Sequence, residues 1–443
     1  MVPKMNDKKT KYSVPSGIFS RSKEFLSLAT KVGAKELKNR ISPTNTLKLE
    51  QIRDLTESLS RLKGAAMKAG QMLSIEASEF LPPEALAILS KLQNKSDVFM
   101  PIEDVEFILK KELGEEKFAL IENLSALPIA AASIGQVHSA IYKGDKVVFK
   151  IQYPGIADSI DSDIRILKRI ANTFMVMSRK SDISLDALFD ELKDEFKKES
   201  DYVNEAENIK AYQKILEPYP EYKVPNFYKE LSTKLVLCMS HESGVPFKEW
   251  MEKEPTKELQ MHFGQLFLNL YTVEFFDNRM VQTDPNYANF LINEESKQIV
   301  LLDFGAVKRY SEEFLAKYIK LIKSAVEKNA SETVSMAEKM NLMSKEERTE
   351  TKIAFYEMIR ASLSAFDEDR QPLHFGDSDY YKKTAEASKK LMKLVEFSAP
   401  PHQLIFLHRK LSGVFNMLKK MDLAIDLGPF WTHVIEIDKK LNP

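Results

Sequence analysis

The sequence predicts an α+β fold in which short strand-rich segments are set among helices. Three observations predict it. The run Val147-Val148-Phe149-Lys150-Ile151 is strand-like and follows a turn signal, Lys143-Gly144-Asp145. Phe290-Leu291-Ile292 and Ile299-Val300-Leu301-Leu302 flank a polar turn from Asn293 to Gln298 and read as a hairpin. Long stretches on both sides repeat apolar residues at helical spacing.

Taken in order, residues 1–18 are polar and basic, hold Pro3, Pro15 and Gly17, and read as an arm. From Ser20 to about Leu37, Phe25, Leu28, Ala29 and Val32 recur at helical spacing with lysines between them. Such a basic amphipathic helix fits a lipid interface or an apolar face of its own protein. Residues 46–125 read as helical throughout; within them Pro101 opens one helix, Val105, Ile108 and Leu109 line its face, and Gly114 stops it. After the strands near Lys150 the helical pattern returns over 156–213, with Leu185, Leu188, Leu192 and Phe196 as a buried stripe. Short strands are expected across 222–239, punctuated by Pro220 and Pro225. Beyond Gly244-Val245-Pro246 the chain reads as helical to its end, the 290–302 hairpin excepted.

A length of 443 residues allows two or three domains, and 44% hydrophobic with 29% charged residues is ordinary globular composition. A net charge of −1 argues against general nucleic-acid binding. The charge is uneven, because residues 1–50 hold eleven Lys/Arg against four Asp/Glu. A basic arm on an acidic body points to an anionic surface such as a membrane, although a solvated tail explains the same arm. The single cysteine, Cys238, excludes an intrachain disulfide and sits in the apolar run Leu235–Met239, as a buried structural thiol would. No stretch reaches the ~20 apolar residues of a spanning helix, and the first residues lack the apolar core of a secretory signal. The expectation is a cytoplasmic protein able to rest on a bilayer.

The chemistry concentrates in Gln282-Thr283-Asp284-Pro285-Asn286-Tyr287-Ala288-Asn289, then the hairpin, then Asp303-Phe304-Gly305. Phosphoryl transfer needs metal ions held by carboxylate and amide oxygens, with a carboxylate near the attacking group. Mg²⁺ takes a few hard oxygen ligands together with the phosphates themselves. Asp284 can supply that carboxylate, and Asn289 and Asp303 the ligands. Each motif alone is weak; in this order, with a hairpin between them, they carry a signal. Upstream, Lys150 ends an apolar strand, where an ammonium is costly unless paired. It suits the α- and β-phosphates of ATP and a helix glutamate. Asp201 and Glu205 stand four residues apart and so share a helix face, which on spacing alone reads as solvated.

These residues resemble the UbiB/ADCK atypical kinase-like family, associated with ubiquinone biosynthesis. Its Lys-x-Gly-Gln signature appears as Lys68-Ala69-Gly70-Gln71, its Glu-x-Asp signature as Glu199-Ser200-Asp201, and its alanine-rich nucleotide loop as Ala130-Ala131-Ala132-Ser133-Ile134-Gly135-Gln136-Val137. Pro82-Pro83 and the leucine-rich stretch to Leu92-Gln93 fit as well. The resemblance implies a protein-kinase-like bilobal fold with an N-terminal helical extension folded over the active site. It implies Glu205 as the partner of Lys150, and Lys68, Gly70, Gln71, Glu199 and Asp201 as a gate that disfavours protein substrates. The expected layout is a basic arm and helix over 1–40, the helical extension over 41–125, an N-lobe with a helical insertion over 126–243 and a helical C-lobe over 244–443. In the loop, Gly135 alone offers the backbone freedom phosphate-facing amides use. Two departures from the family stand out: no spanning pair follows the C-lobe, and the catalytic motif begins Gln282-Thr283-Asp284 where many bacterial members carry histidine. The expected function is binding of an adenine nucleotide with Mg²⁺, by an ATPase or a small-molecule or lipid kinase acting on a quinone precursor or other isoprenoid lipid. The alternative is a non-catalytic, nucleotide-gated lipid-binding or scaffolding module.

Overall fold

The computed structural model describes residues 99–132, 134–162, 164–165, 168, 186–284, 286–394 and 402–442. The arm, the amphipathic helix and the Lys-x-Gly-Gln signature with Lys68, Gly70 and Gln71 lie outside them, as does Ser133. The chain divides into two compact units, one holding residues up to Glu207 with Asn226–His241, the other Asn208–Pro225 with Glu242 onward.

The first unit is built on a five-stranded antiparallel sheet. Its strands are β1 (Ile121–Glu122), β2 (Ala130–Ala132), β3 (Gly135–Tyr142), β4 (Asp145–Gln152) and β6 (Val236–Ser240). The β3–β4 turn is the expected one: Lys143 and Gly144 both have positive φ, 52° and 89°, as a two-residue type I′ hairpin requires. Val147, Phe149 and Ile151 alternate into the core, where Cys238 is also buried and its thiol pKa is pushed up by burial. Helix α1 (Ile102–Leu113) lays Val105, Ile108, Leu109 and Leu113 on the same core, between Pro101 at its start and Gly114 at its end. The helical reading of 46–125 fails at β1, whose two residues pair with Tyr142 and Ile141 and are too few to leave a periodic signal. Helices α2 (Asp186–Glu199) and α3 (Tyr202–Leu216) follow; Phe189, Leu192 and Phe196 of α2 are fully buried. The residues of α3 up to Glu207 belong to the first unit and the remainder to the second.

The second unit carries a four-stranded sheet of β5 (Tyr222–Lys223), β10 (Gln298–Leu301), β9 (Phe290–Asn293) and β7 (Val245–Pro246), in that order. The β9–β10 pair is the expected hairpin. Two further pairs escaped the helical reading of this region: β8 (Met280–Gln282) with β11 (Val307–Arg309), and β12 (Leu373–His374) with β13 (Ala424–Ile425). Around them stand α4 (Lys257–Tyr271), α5 (Glu312–Val326), α6 (Ala330–Lys339), α7 (Thr349–Leu363), α8 (Ser378–Leu394), α9 (His402–Lys420) and α10 (Gly428–Leu441). Thr256, Ser311 and Asn329 cap α4, α5 and α6 by accepting the N–H three residues on. Among the described residues no helix is long and apolar enough to cross a membrane.

Candidate active site

In the first unit, β4 brings Lys150 into register between Val137 of β3 and Leu237 of β6. Its ammonium donates to both carboxylate oxygens of Glu205, each at 2.9 Å, with side-chain exposures of 7% and 0%. The ammonium also lies 5.3 Å from the ring centroid of Tyr202. Glu205 sits in the first turn of α3, where the helix dipole favours a carboxylate. Asp201 begins that helix by accepting the Asn204 N–H at 3.0 Å. The Gln152 amide donates to the Ser200 carbonyl at 2.6 Å, a second tie between β4 and the start of α3. Glu199, at the end of α2, is buried.

The alanine-rich segment is a strand. Ala130, Ala131 and Ala132 pair with Val137, Gln136 and Gly135. Gly135 does not use the φ freedom of glycine: a Cβ there would meet the Ile151 carbonyl oxygen at 2.2 Å, so its role is to let β3 and β4 approach. Gln136 is buried and clamps the chain ahead of α1, accepting from Met100 N at 2.9 Å and donating to its carbonyl at 3.2 Å. Its Nε2 also lies 2.7 Å from Nε2 of His138, whose Nδ1 is 2.7 Å from the Ser125 carbonyl. That set fits a neutral imidazole with its proton on Nδ1. Burial lowers the His138 pKa, with the Ser125 bond opposing.

In the second unit, β8 and β11 hold the two ends of the chemistry-bearing segment together, and Thr283 adds two bonds to the Ala306 carbonyl, 2.8 Å from N and 2.9 Å from Oγ1. Asn289 Nδ2 donates to Asp284 Oδ2 at 2.9 Å, which directs the Asn289 oxygen elsewhere. Leu302 N donates to the Asn289 carbonyl at 3.0 Å, so Asn289 and Asp303 are neighbours across the hairpin base. Asp303 Oδ1 accepts Gly305 N at 2.9 Å, and Asn208 of α3 holds the Phe304 carbonyl at 2.9 Å. Asp284 and Asn289 are therefore joined by a hydrogen bond, and Asp303 follows the residue that bonds the Asn289 backbone.

Sequence reasoning missed Arg409, Lys410, Glu274 and Tyr212, and gave Gln282 a place in the chemistry-bearing segment but no role. Arg409 lies 4.0 Å from Asp284 Oδ1. Lys410 Nζ pairs with Glu274 Oε2 at 2.9 Å, and Tyr212 donates to Glu274 Oε1 at 3.0 Å. Burial raises the Glu274 pKa, opposed by Lys410. A signal existed: Lys410 interrupts the apolar stripe Leu407, Val414 and Met417, and Glu274 interrupts Tyr271 to Phe276. Two opposite charges on apolar faces are a candidate pair.

A model of the ABC1 atypical kinase-like domain matches residues 91–337. The chain belongs to the ABC1 atypical kinase-like family. This bears out the UbiB/ADCK resemblance read from the motifs, and the kinase-like α+β fold with it. The chain is 30% identical over 433 residues to "Atypical kinase COQ8, mitochondrial" of Saccharomyces cerevisiae, across 95% of this chain and 85% of the relative. It is 30% identical over 466 residues to "Probable serine/threonine-protein kinase abkA" of Dictyostelium discoideum, across 97% of this chain and 81% of the relative. Among solved structures, Rv3197 of Mycobacterium tuberculosis, solved in complex with erythromycin, shares the fold with a TM-score of 0.58 at 24% identity, over 92% of this chain and 98% of that one.

Proposed function

We propose that this ABC1-family chain binds ATP with Mg²⁺ and either hydrolyses it or passes its terminal phosphate to a small or lipid-like acceptor, in support of quinone or other isoprenoid lipid metabolism. The observation that carries the reading is the pairing of Lys150 with Glu205, an ion pair that leaves an oriented ammonium on an apolar sheet. In this reading Lys150 takes the α- and β-phosphates, Asn289 and Asp303 hold Mg²⁺, and Asp284 orients the attacking water or hydroxyl.

The donor set fits Mg²⁺. Among the described residues no group of three or more His, Cys, Asp or Glu is placed to hold a metal unaided. An amide oxygen and a carboxylate that share their remaining positions with phosphate oxygens suit Mg²⁺, which keeps few protein ligands. Bound there, the ion would neutralise charge developing on the phosphates. The other residues organise: Gly305 N and Gln282 steady Asp303, and Asn289 steadies Asp284.

The basic arm supports a contact with an anionic membrane surface, and the names of the relatives support kinase-like chemistry. The test is ATP turnover by the full chain with γ-labelled nucleotide, with and without anionic liposomes and a quinone-precursor analogue. Label in an organic acceptor identifies a kinase, and label only in free phosphate an ATPase. Liposome stimulation lost on deleting residues 1–40 supports the membrane contact; unchanged turnover refutes it. Asp303→Asn is expected to abolish turnover. If the variant keeps its cellular role all the same, the protein is a scaffold.

A further inference from the structure

A buried ionic network lies in the second unit behind the proposed metal ligands. Glu274 and Lys410 have side-chain exposures of 0% and 2%. Glu274 sits in the π-helical turn Thr272–Asp277, a local widening that recurs at functional sites. Lys410 comes from α9, beyond the family-matched residues 91–337. Taking two charges out of water is expensive, and an apolar pair of similar size is often as stable or more so. Fold stability alone therefore does not account for the pair.

Its geometry does. Lys410 Nζ donates to Gln282 Oε1 at 3.2 Å. An ammonium is a donor only, so the Gln282 amide must present its oxygen to Lys410 and its nitrogen to the other side. On that side Gln282 Nε2 donates to the Asp303 carbonyl at 3.2 Å. Gln282 ends β8 two residues before Asp284, so one amide stands at the base of both carboxylate-bearing segments. The network thus joins Tyr212, Glu274, Lys410, Gln282 and Asp303: Glu274 accepts from both Tyr212 and Lys410, and from Lys410 onward each group donates to the next.

We propose that Lys410 is a positioning residue for Asp303, acting through the orientation it imposes on the Gln282 amide; the proposal rests on the Mg²⁺-nucleotide site above. Residues that orient metal ligands from behind are worth about tenfold or more in metal affinity.

The experiment titrates Mg²⁺ into the full chain at saturating ADP by calorimetry and follows melting separately. Gln282→Glu keeps an acceptor for Lys410 but has no N–H for the Asp303 carbonyl. It is expected to raise the half-saturating Mg²⁺ about tenfold and to leave Mg²⁺-free ADP binding unchanged. An added negative charge alone would tighten Mg²⁺, so the expected change has the opposite sign to a bare charge effect. Glu274→Gln combined with Lys410→Met removes both charges and is expected to weaken Mg²⁺ likewise. Asp367→Asn, which breaks the Arg360 pair elsewhere in this unit, is expected to lower the melting temperature without moving the Mg²⁺ midpoint. Midpoints within about twofold of wild type for both Gln282→Glu and the double variant overturn the proposal. Should the double variant not fold, Gln282→Glu decides alone. A wild-type protein with no Mg²⁺-dependent ADP uptake instead overturns the site reading beneath it.

Discussion

Lys150 and Glu205 are each costly where they stand, and each offsets part of the other's cost. Both oxygens of Glu205 lie 2.9 Å from the ammonium, and neither residue has much water to fall back on. Glu205→Ala leaves a buried cation without its carboxylate and is expected to destabilise the protein by about 3 kcal/mol or more, measured by chemical denaturation. Adding Lys150→Met to Glu205→Leu should recover most of that loss while abolishing nucleotide binding, which separates the pair's structural cost from its chemical use. His138 gives a second residue-scale expectation. Burial lowers its folded pKa below the ordinary 6.5, so the unfolded chain takes up the proton first as pH falls. The stability His138 contributes is complete above the unfolded pKa and is lost as pH drops through the folded one. Denaturation midpoints at about pH 7.5 and pH 5.5 should differ more for wild type than for His138→Gln.

At the scale of elements, the β2–β3 hairpin decides how the alanine-rich segment works. Its alanines are strand residues in register with Val137, Gln136 and Gly135, so their backbone is restrained by pairing as well as by Cβ. Ala131→Gly or Ala132→Gly relaxes the second restraint and is expected to shift the preference between ATP and ADP, read as the ratio of their dissociation constants. Equal ratios in variant and wild type would refute that. Gly135→Ala tests something different. With the Ile151 carbonyl 2.2 Å from the new Cβ, the two strands must part, at about 1–3 kcal/mol as for other overpacked sites. Elements with several turns or a full turn signal were legible in the sequence: α1 between Pro101 and Gly114, the Lys143-Gly144 hairpin, and β9–β10. Strands β1, β8, β11, β12 and β13 were not, because two or three residues carry no period and their pairing is set by distant chain.

For the whole molecule, the part of the candidate site that follows kinase-like order in the chain was legible, and the part supplied from outside it was not. Asp284, Asn289 and Asp303 are close in sequence, and Asn289 and Asp303 flank one hairpin; Arg409 and Lys410 reach Asp284 and Gln282 from more than a hundred residues away, a separation that no spacing rule spans. The same separation makes a prediction about the chain after the family-matched residues end at 337. Leu407, Val414, Met417 and Leu418 of α9 are buried, and the side chains of Leu418 and Leu423 crowd Gly264 of α4, where an added Cβ would push the Leu423 methyl aside. Phe430 of α10 packs on Tyr271 and Phe276 at centroid distances of 6.5 and 5.6 Å. A chain stopped at residue 337 would expose these faces and leave Glu274 buried without Lys410, at about 3–5 kcal/mol for the lost partner alone. That loss is a large share of a domain's total stability of roughly 5–15 kcal/mol. The truncated chain is therefore expected to show no cooperative melting by circular dichroism and rapid proteolysis, where the full chain resists. A cooperative transition in the chain ending at 337 would mean that the C-terminal helices decorate the second unit instead of completing its core.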